Sequence, residues 1–233
     1  MSDKELQNIR DNTKDVIVLF DLDGTLVDST QAIYASFCDA YKKMGQKAPS
    51  LESVKNTIGH TLEDMFLQNG ADSNKVAEYV HYYRICYRSL MEEGTHLLPL
   101  VKEAIIEAHS FAYLGVVTTK RGDFSQILLE KLGVWQYFEC IVGIESITHP
   151  KPSPEPIFKA LEMLHITQKD IVKQKIYMVG DTHLDLSAAQ RAEINAVGVL
   201  CGFGKREDME QFNVPLCEST FEAVRYIAQK CSI

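Results

Sequence analysis

Two aspartates, Asp21 and Asp23, follow the apolar run Val16-Ile17-Val18-Leu19-Phe20 and are themselves followed by Gly24-Thr25-Leu26. On extended chain, residues two apart point the same way, so both carboxylates face one side. Such a pair can hold a divalent cation, attack an electrophilic centre or move a proton. A lone Asp-x-Asp also suits a turn or a helix cap, so its meaning depends on what else the chain brings to the same place.

Three more polar groups close or follow apolar runs. Tyr113-Leu114-Gly115-Val116-Val117 ends in Thr118-Thr119-Lys120. Lys151 lies in His149-Pro150-Lys151-Pro152-Ser153-Pro154-Glu155-Pro156, ahead of the helical pattern Ile157, Phe158, Leu161, Leu164. Ile176-Tyr177-Met178-Val179 ends in Gly180-Asp181-Thr182-His183-Leu184-Asp185. Uncharged runs without alternation fit strands covered on both faces, as in a parallel sheet. Ligands of open α/β sheets bind beyond the C-terminal ends of such strands, where these polar residues emerge.

An Asp-x-Asp-Gly-Thr-Leu, a strand-end Thr, a Lys and a Gly-Asp-Thr-x-x-Asp, in this order, resemble the haloacid dehalogenase superfamily of phosphohydrolases. The likeness runs from about Val16 to the C-terminus, and Asp21 to Ser29 with the Lys-Pro-x-Pro at Lys151 is most similar to the phosphoglycolate phosphatase branch. It implies a Rossmann-like, three-layer parallel-sheet α/β core and an aspartyl-phosphate formed on Asp21. It further implies Mg²⁺ held by a carboxylate oxygen of Asp21, the backbone carbonyl of Asp23 and the carboxylate of Asp181. Asp185, one helical turn beyond Asp181, is placed behind the metal, orienting its waters or Lys151. A carboxylate approaching a phosphate dianion meets roughly 8 kcal/mol of repulsion, at ~4 kcal/mol per unit pair in an effective dielectric near 20. Mg²⁺ and Lys151 are expected to offset it, with Thr118 giving a hydroxyl to a phosphoryl oxygen. Asp23 is the candidate acid and base, protonating the leaving oxygen and then deprotonating water. Members that displace halide from carbon lack this second aspartate, so its presence points to phosphate chemistry.

The expected function is hydrolysis of a small phosphorylated metabolite, phosphoglycolate-like, with pyrophosphate or another small phosphate as alternative. Gly24, Thr118, Thr119, Lys151 and His60 are the candidate substrate contacts. Asn56 to Phe66, which includes His60, resembles the cap loop that reaches into the site in phosphoglycolate phosphatases and related pyrophosphatases. It carries no arginine, and Gln31-Ala32-Ile33-Tyr34 shows no histidine, both of which disfavour a phosphomutase of the β-phosphoglucomutase type. His60 is equally an exposed cap residue, and His183 reads as a surface position at a helix start. A non-catalytic interaction protein on this fold would tolerate loss of the charged motif residues, all of which are present.

The elements that must position these residues follow from periodicity. Ile33, Tyr34, Phe37, Ala40, Tyr41 and Met44 predict a helix stopping at Gly45, with further helices near 62–67 and 76–90. No strand signal interrupts residues 29–95, so residues 28–98 are expected to form an all-helical cap inserted into a core of 16–27 and 99–233. Residues 1–15, polar and mixed in charge, are expected to be a loose tail. Between Thr118 and Lys151 there is room for one helix and one strand, which excludes a second cap there. Ser153 is the expected N-cap of the following helix, and Ser219-Thr220-Phe221-Glu222 spells a capping box.

Composition sets the limits. The 233 residues are 45% hydrophobic, enough for a sizeable core. A net charge of −8 disfavours nucleic acid as partner, so an anionic substrate must be held by local cations. No apolar run approaches the ~20 residues of a membrane helix. The six cysteines are scattered without a Cys-x-x-Cys pair and read as reduced thiols, which with an N-terminus lacking an apolar signal core predicts a cytoplasmic protein; a monomer or homodimer is expected.

Overall fold

The structure, a computed structural model, describes residues 14–166 and 175–233. The tail expected over 1–15 lies outside them except for Lys14 and Asp15. Lys14 donates to the carbonyls of His109 and Ala112, and Asp15 accepts from the Lys175 amide, so these two residues are tied to the sheet's lower edge.

The centre of the molecule is β1 (Val16–Phe20), buried along its whole length. β4 (Ala112–Val117) pairs with it on one side and β6 (Lys175–Gly180) on the other, both parallel. β5 (Cys140–Val142), β7 (Asn195–Val199) and β8 (Leu216–Cys217) extend the sheet to the order β5-β4-β1-β6-β7-β8. Alternation along β1 explains the layers. Val16, Val18 and Phe20 pack against α5 (Val101–Phe111) and α10 (Thr220–Cys231). Ile17 and Leu19 pack on the other face, against α7 (Glu155–Met163) and α8 (His183–Arg191). The result is the three-layer α/β core expected from the apolar runs. α6 (Gly122–Lys131) fills the connection between β4 and β5.

The chain leaves the core through β2 (Val27–Asp28) and returns through β3 (His96–Leu97), an antiparallel pair that puts the two crossings side by side. Between them lie α1 (Thr30–Lys43), α2 (Leu51–Lys55), α3 (Leu62–Gln68) and α4 (Val76–Leu90), an all-helical insertion with its own core. That core is aromatic. Phe37 stacks on Phe66 at 4.3 Å and meets Tyr83 edge-on at 5.4 Å, while Tyr41 lies 4.9 Å from Tyr79. Each such pair adds ~0.5–1.5 kcal/mol beyond the area it buries.

Some short elements escape periodicity: α2, the β2–β3 pair, β8 and α9 (Arg206–Glu210). The helix expected to open at Ser153 begins at Glu155, because the Ser153 hydroxyl accepts from the Glu155 amide two residues on, forming a turn. At the last helix Ser219 does cap the Glu222 amide, but the Glu222 carboxylate reaches the amide of Glu218 and not that of Ser219. The six cysteines are free thiols. No helix among the described residues is long and apolar enough to cross a membrane.

Candidate active site

Beyond the C-terminal end of β1 the backbone remains anchored: the Asp21 amide donates to the Val179 carbonyl at 2.9 Å. The chain then folds back, the Leu22 carbonyl accepting from Leu26 and Val27. Gly24 makes this turn with φ +87°, and a Cβ there would lie 2.3 Å from an Asp181 oxygen. Only glycine lets the turn close against that carboxylate.

Asp21, Asp181 and Asp185 converge, each offering an oxygen within 4.8 Å of the others, and all three are buried. Lys151 enters from the loop before α7. Its ammonium donates to Asp21 Oδ1 at 2.8 Å, Asp185 Oδ1 at 2.5 Å and the Val117 carbonyl at 3.0 Å. The other Asp185 oxygen accepts from the amide and hydroxyl of Thr182, closing a capping box at the start of α8. Both Asp185 oxygens are thereby engaged, which suits orientation of Lys151 better than metal ligation. Asp181 accepts from the Thr25 hydroxyl at 3.0 Å and the Phe203 amide at 2.7 Å.

Fully ionised, three carboxylates against one ammonium would leave an excess of two negative charges in a buried cluster. The strain appears in the titration of its members. Burial, opposed by Lys151 and reinforced by Asp185, pushes Asp21 up to about 7. Burial, then Asp21 and Asp185, holds Asp181 well above the usual carboxylate range. Lys151 moves further into its charged range because the attraction of Asp185 and Asp21 outweighs its burial. An excess of two charges on closely spaced hard oxygens fits a divalent oxygen-seeking cation.

Asp23 stands apart from this cluster. The Ser29 hydroxyl donates to its Oδ1, and the Lys120 ammonium faces its Oδ2 at 3.2 Å. Lys120 also donates to the Tyr87 hydroxyl of the cap at 2.7 Å. Thr118 is buried, with its amide bonded to Val142 and its hydroxyl accepting from the Lys120 amide at 3.1 Å. Thr119 instead donates to the Gly59 carbonyl of the cap loop at 3.1 Å. His60 faces His183 across 6.4 Å, and burial followed by His183 lowers its pKa. His183 is half-buried against that loop, not the surface position expected from sequence.

Residues 18–199 match the haloacid dehalogenase-like hydrolase family. The chain belongs to that family. A probable phosphatase, IndB, of Dickeya dadantii is 30% identical over 89% of this chain and 91% of its own length. The pyrophosphatase PpaX of Bacillus mycoides is 34% identical over 78% of this chain and 82% of its own. A solved haloacid dehalogenase-like hydrolase of Streptococcus pneumoniae superposes with a TM-score of 0.80 at 25% identity, covering 92% of this chain and 99% of the other.

Several residues of this family member escape sequence reasoning. Phe203 acts through its backbone amide, which no side-chain pattern marks, and Gly202 and Gly204 let the Cys201–Gly204 turn approach Asp181. Lys120 had a signal, since it directly follows the strand-end threonines, but its partner Asp23 lies about a hundred residues earlier in the chain. Tyr87 reads as cap core and is buried as such, yet its hydroxyl reaches the core cation.

Proposed function

We propose that this hydrolase is a Mg²⁺-dependent phosphatase that releases inorganic phosphate from a small phosphorylated metabolite through an aspartyl-phosphate on Asp21. The buried cluster of Asp21, Asp181, Asp185 and Lys151, with its excess of two negative charges, carries this reading. Asp21, Asp181 and the backbone carbonyl of Asp23 would hold the ion, which when bound supplies positive charge to the phosphoryl oxygens.

The chain's own residues do the rest. Lys151 favours the ionised form of Asp21 against its burial and orients it, and its three donor contacts leave the ammonium fixed beside the attacking oxygen. An Asp21 oxygen bonds to phosphorus while the ester P–O bond breaks, and Asp23 gives its proton to the leaving oxygen. Water then attacks phosphorus, Asp23 takes up a proton, and the Asp21 carboxylate is restored. Thr118 and the backbone around Gly24 lie at the same strand ends, where phosphoryl oxygens would sit. Thr119 and His60 join the cap loop to the core, a position suited to closing the site over a substrate.

Phosphoglycolate and pyrophosphate belong in the first panel of substrates, because of the sequence outline and the named relatives. Phosphate release that requires added Mg²⁺, vanishes with a chelator and is accompanied by a phosphate adduct on the Asp21 peptide is the expected result. Transfer of the phosphoryl group to a second hydroxyl without free phosphate would identify a mutase. Release that persists without any divalent ion would remove the metal from the scheme.

A further inference from the structure

Between the cap and the sheet edge lies a cavity of about 70 Å³ that opens on Asp23. Its walls are mostly apolar, with Ile33, Ile58 and Met65 from the cap and Phe124 and Ile144 from the core, while His60, Glu63 and Thr119 and three cations also line it. One side is a run of rings, with Tyr83 stacked on Tyr87 at 5.4 Å and Tyr87 meeting Phe124 at 6.0 Å.

The cations at its margin are already matched. Lys120 faces Asp23 at 3.2 Å, Arg84 faces Glu63 at 3.5 Å and Arg121 faces Asp123 at 2.7 Å. Burial, and then His183, lowers the pKa of His60 and disfavours its cationic form. A second phosphoryl or carboxylate group entering here would compete with these carboxylates for cations they already neutralise. A polyol would set hydroxyls against the apolar share of these walls, at a cost of ~1–3 kcal/mol for each one left unpaired. An aromatic ring finds apolar walls and neighbouring ring faces.

We infer that the alcohol released from this site is compact and hydrocarbon-bodied, so that the preferred substrate is a small aromatic phosphate monoester and not pyrophosphate or a sugar phosphate. The inference rests on the proposal that Asp21 and Asp23 cleave a phosphate ester. In that cleavage the P–O bond to the benzylic or phenolic oxygen breaks as Asp21 bonds to phosphorus, and the oxygen leaves with the proton of Asp23.

Two measurements on the full chain with Mg²⁺ present decide it. The first is kcat/KM for benzyl phosphate, phosphoglycolate, pyrophosphate and glucose 6-phosphate. The second, independent of turnover, is Kd by calorimetry for benzylphosphonate against methylphosphonate. Benzyl phosphate is expected to lead by tenfold or more, and benzylphosphonate to bind tenfold or more tightly than its methyl counterpart. Both advantages should shrink at least fivefold in Phe124→Ala, which trims a half-buried wall residue. Equal binding of the two phosphonates, or a lead for phosphoglycolate, pyrophosphate or glucose 6-phosphate, overturns the inference and leaves hydrolysis standing. Release from none of the esters, with the phosphonate preference intact, overturns hydrolysis and leaves the pocket assignment standing.

Discussion

The two sides of the cleft are built on opposite principles. On the core side, Asp21, Asp181, Asp185 and Lys151 are buried and tied to one another, to backbone and to Thr25 and Thr182. On the cap side, the wall is Ile33, Ile58 and Met65, drawn from separate segments and shaped by packing. Charge placed by hydrogen bonds serves a reaction that must be the same for every ester. A surface placed by hydrophobic packing can change with few consequences for the chemistry. The contrast predicts that activity and selectivity are separable, so that substitutions on the two sides should behave differently.

The largest effect is expected from Asp21→Asn. The amide cannot form the phosphoryl adduct, so phosphate release should fall by ~10⁴-fold or more. Because a buried carboxylate is replaced by a neutral group of the same shape, the melting temperature without Mg²⁺ should stay level or rise. Phosphate assay and thermal unfolding on the same preparation test both halves. Lys151→Met comes next and has the opposite stability signature. It strands Asp21 and Asp185, both buried, without their cation, and should cost ~3–5 kcal/mol in stability. Activity should drop by ~10²–10³-fold, the scale of losing one preorganised charge in such a site. Denaturant unfolding that shows no loss would mean the cluster is not the rigid half of the comparison.

The same contrast explains how much could be seen from sequence. The core reads well because a strand covered on both faces has to be an unbroken apolar run, and the groups at its end sit next to it in the chain. Hence Asp21, Thr118, Asp181 and the strands that carry them were legible from local patterns, but the order of those strands was not. Lys151 was legible only through its place among prolines in the family outline. The cap reads as helices, because Phe37, Tyr41, Tyr79 and Tyr83 keep helical spacing, but not as a surface. Which faces of α1, α3 and α4 line the cleft depends on crossings that no single segment encodes. Arg84 illustrates this: the cap loop over 56–66 has no arginine, yet α4 carries one to the cavity margin. Contacts made by backbone, such as the Phe203 amide on Asp181, were invisible for a simpler reason, since every residue type offers one.

A smaller effect follows from pH. Asp21 is raised from 3.8 to about 7, so between those values the folded protein without metal retains a proton that the unfolded chain releases. The folded state then binds more protons, and stability declines as pH rises from ~4 through ~7. Mg²⁺ competes with that proton for the same oxygen. The gain in melting temperature on adding Mg²⁺ should therefore be larger at pH 8 than at pH 5, where the ion must displace the proton. Equal gains at both pH values would show that the cation is held elsewhere.

The smallest effect belongs to Tyr87→Phe, at the one hydrogen bond described here that joins a cap side chain to a core cation. The substitution keeps the ring, which lies 4.3 Å from the Lys120 ammonium, and removes only the hydroxyl that accepts from it. Lys120 retains Asp23, so no buried charge is stranded, and the stability cost should be ~0.5–1.5 kcal/mol. If the cap selects and the core reacts, KM should rise a few-fold while kcat stays within about twofold, read from steady-state kinetics on one ester. A fall in kcat as deep as that of Lys151→Met would instead make Tyr87 part of the reacting cluster, and the division between the two sides would have to be redrawn through Lys120.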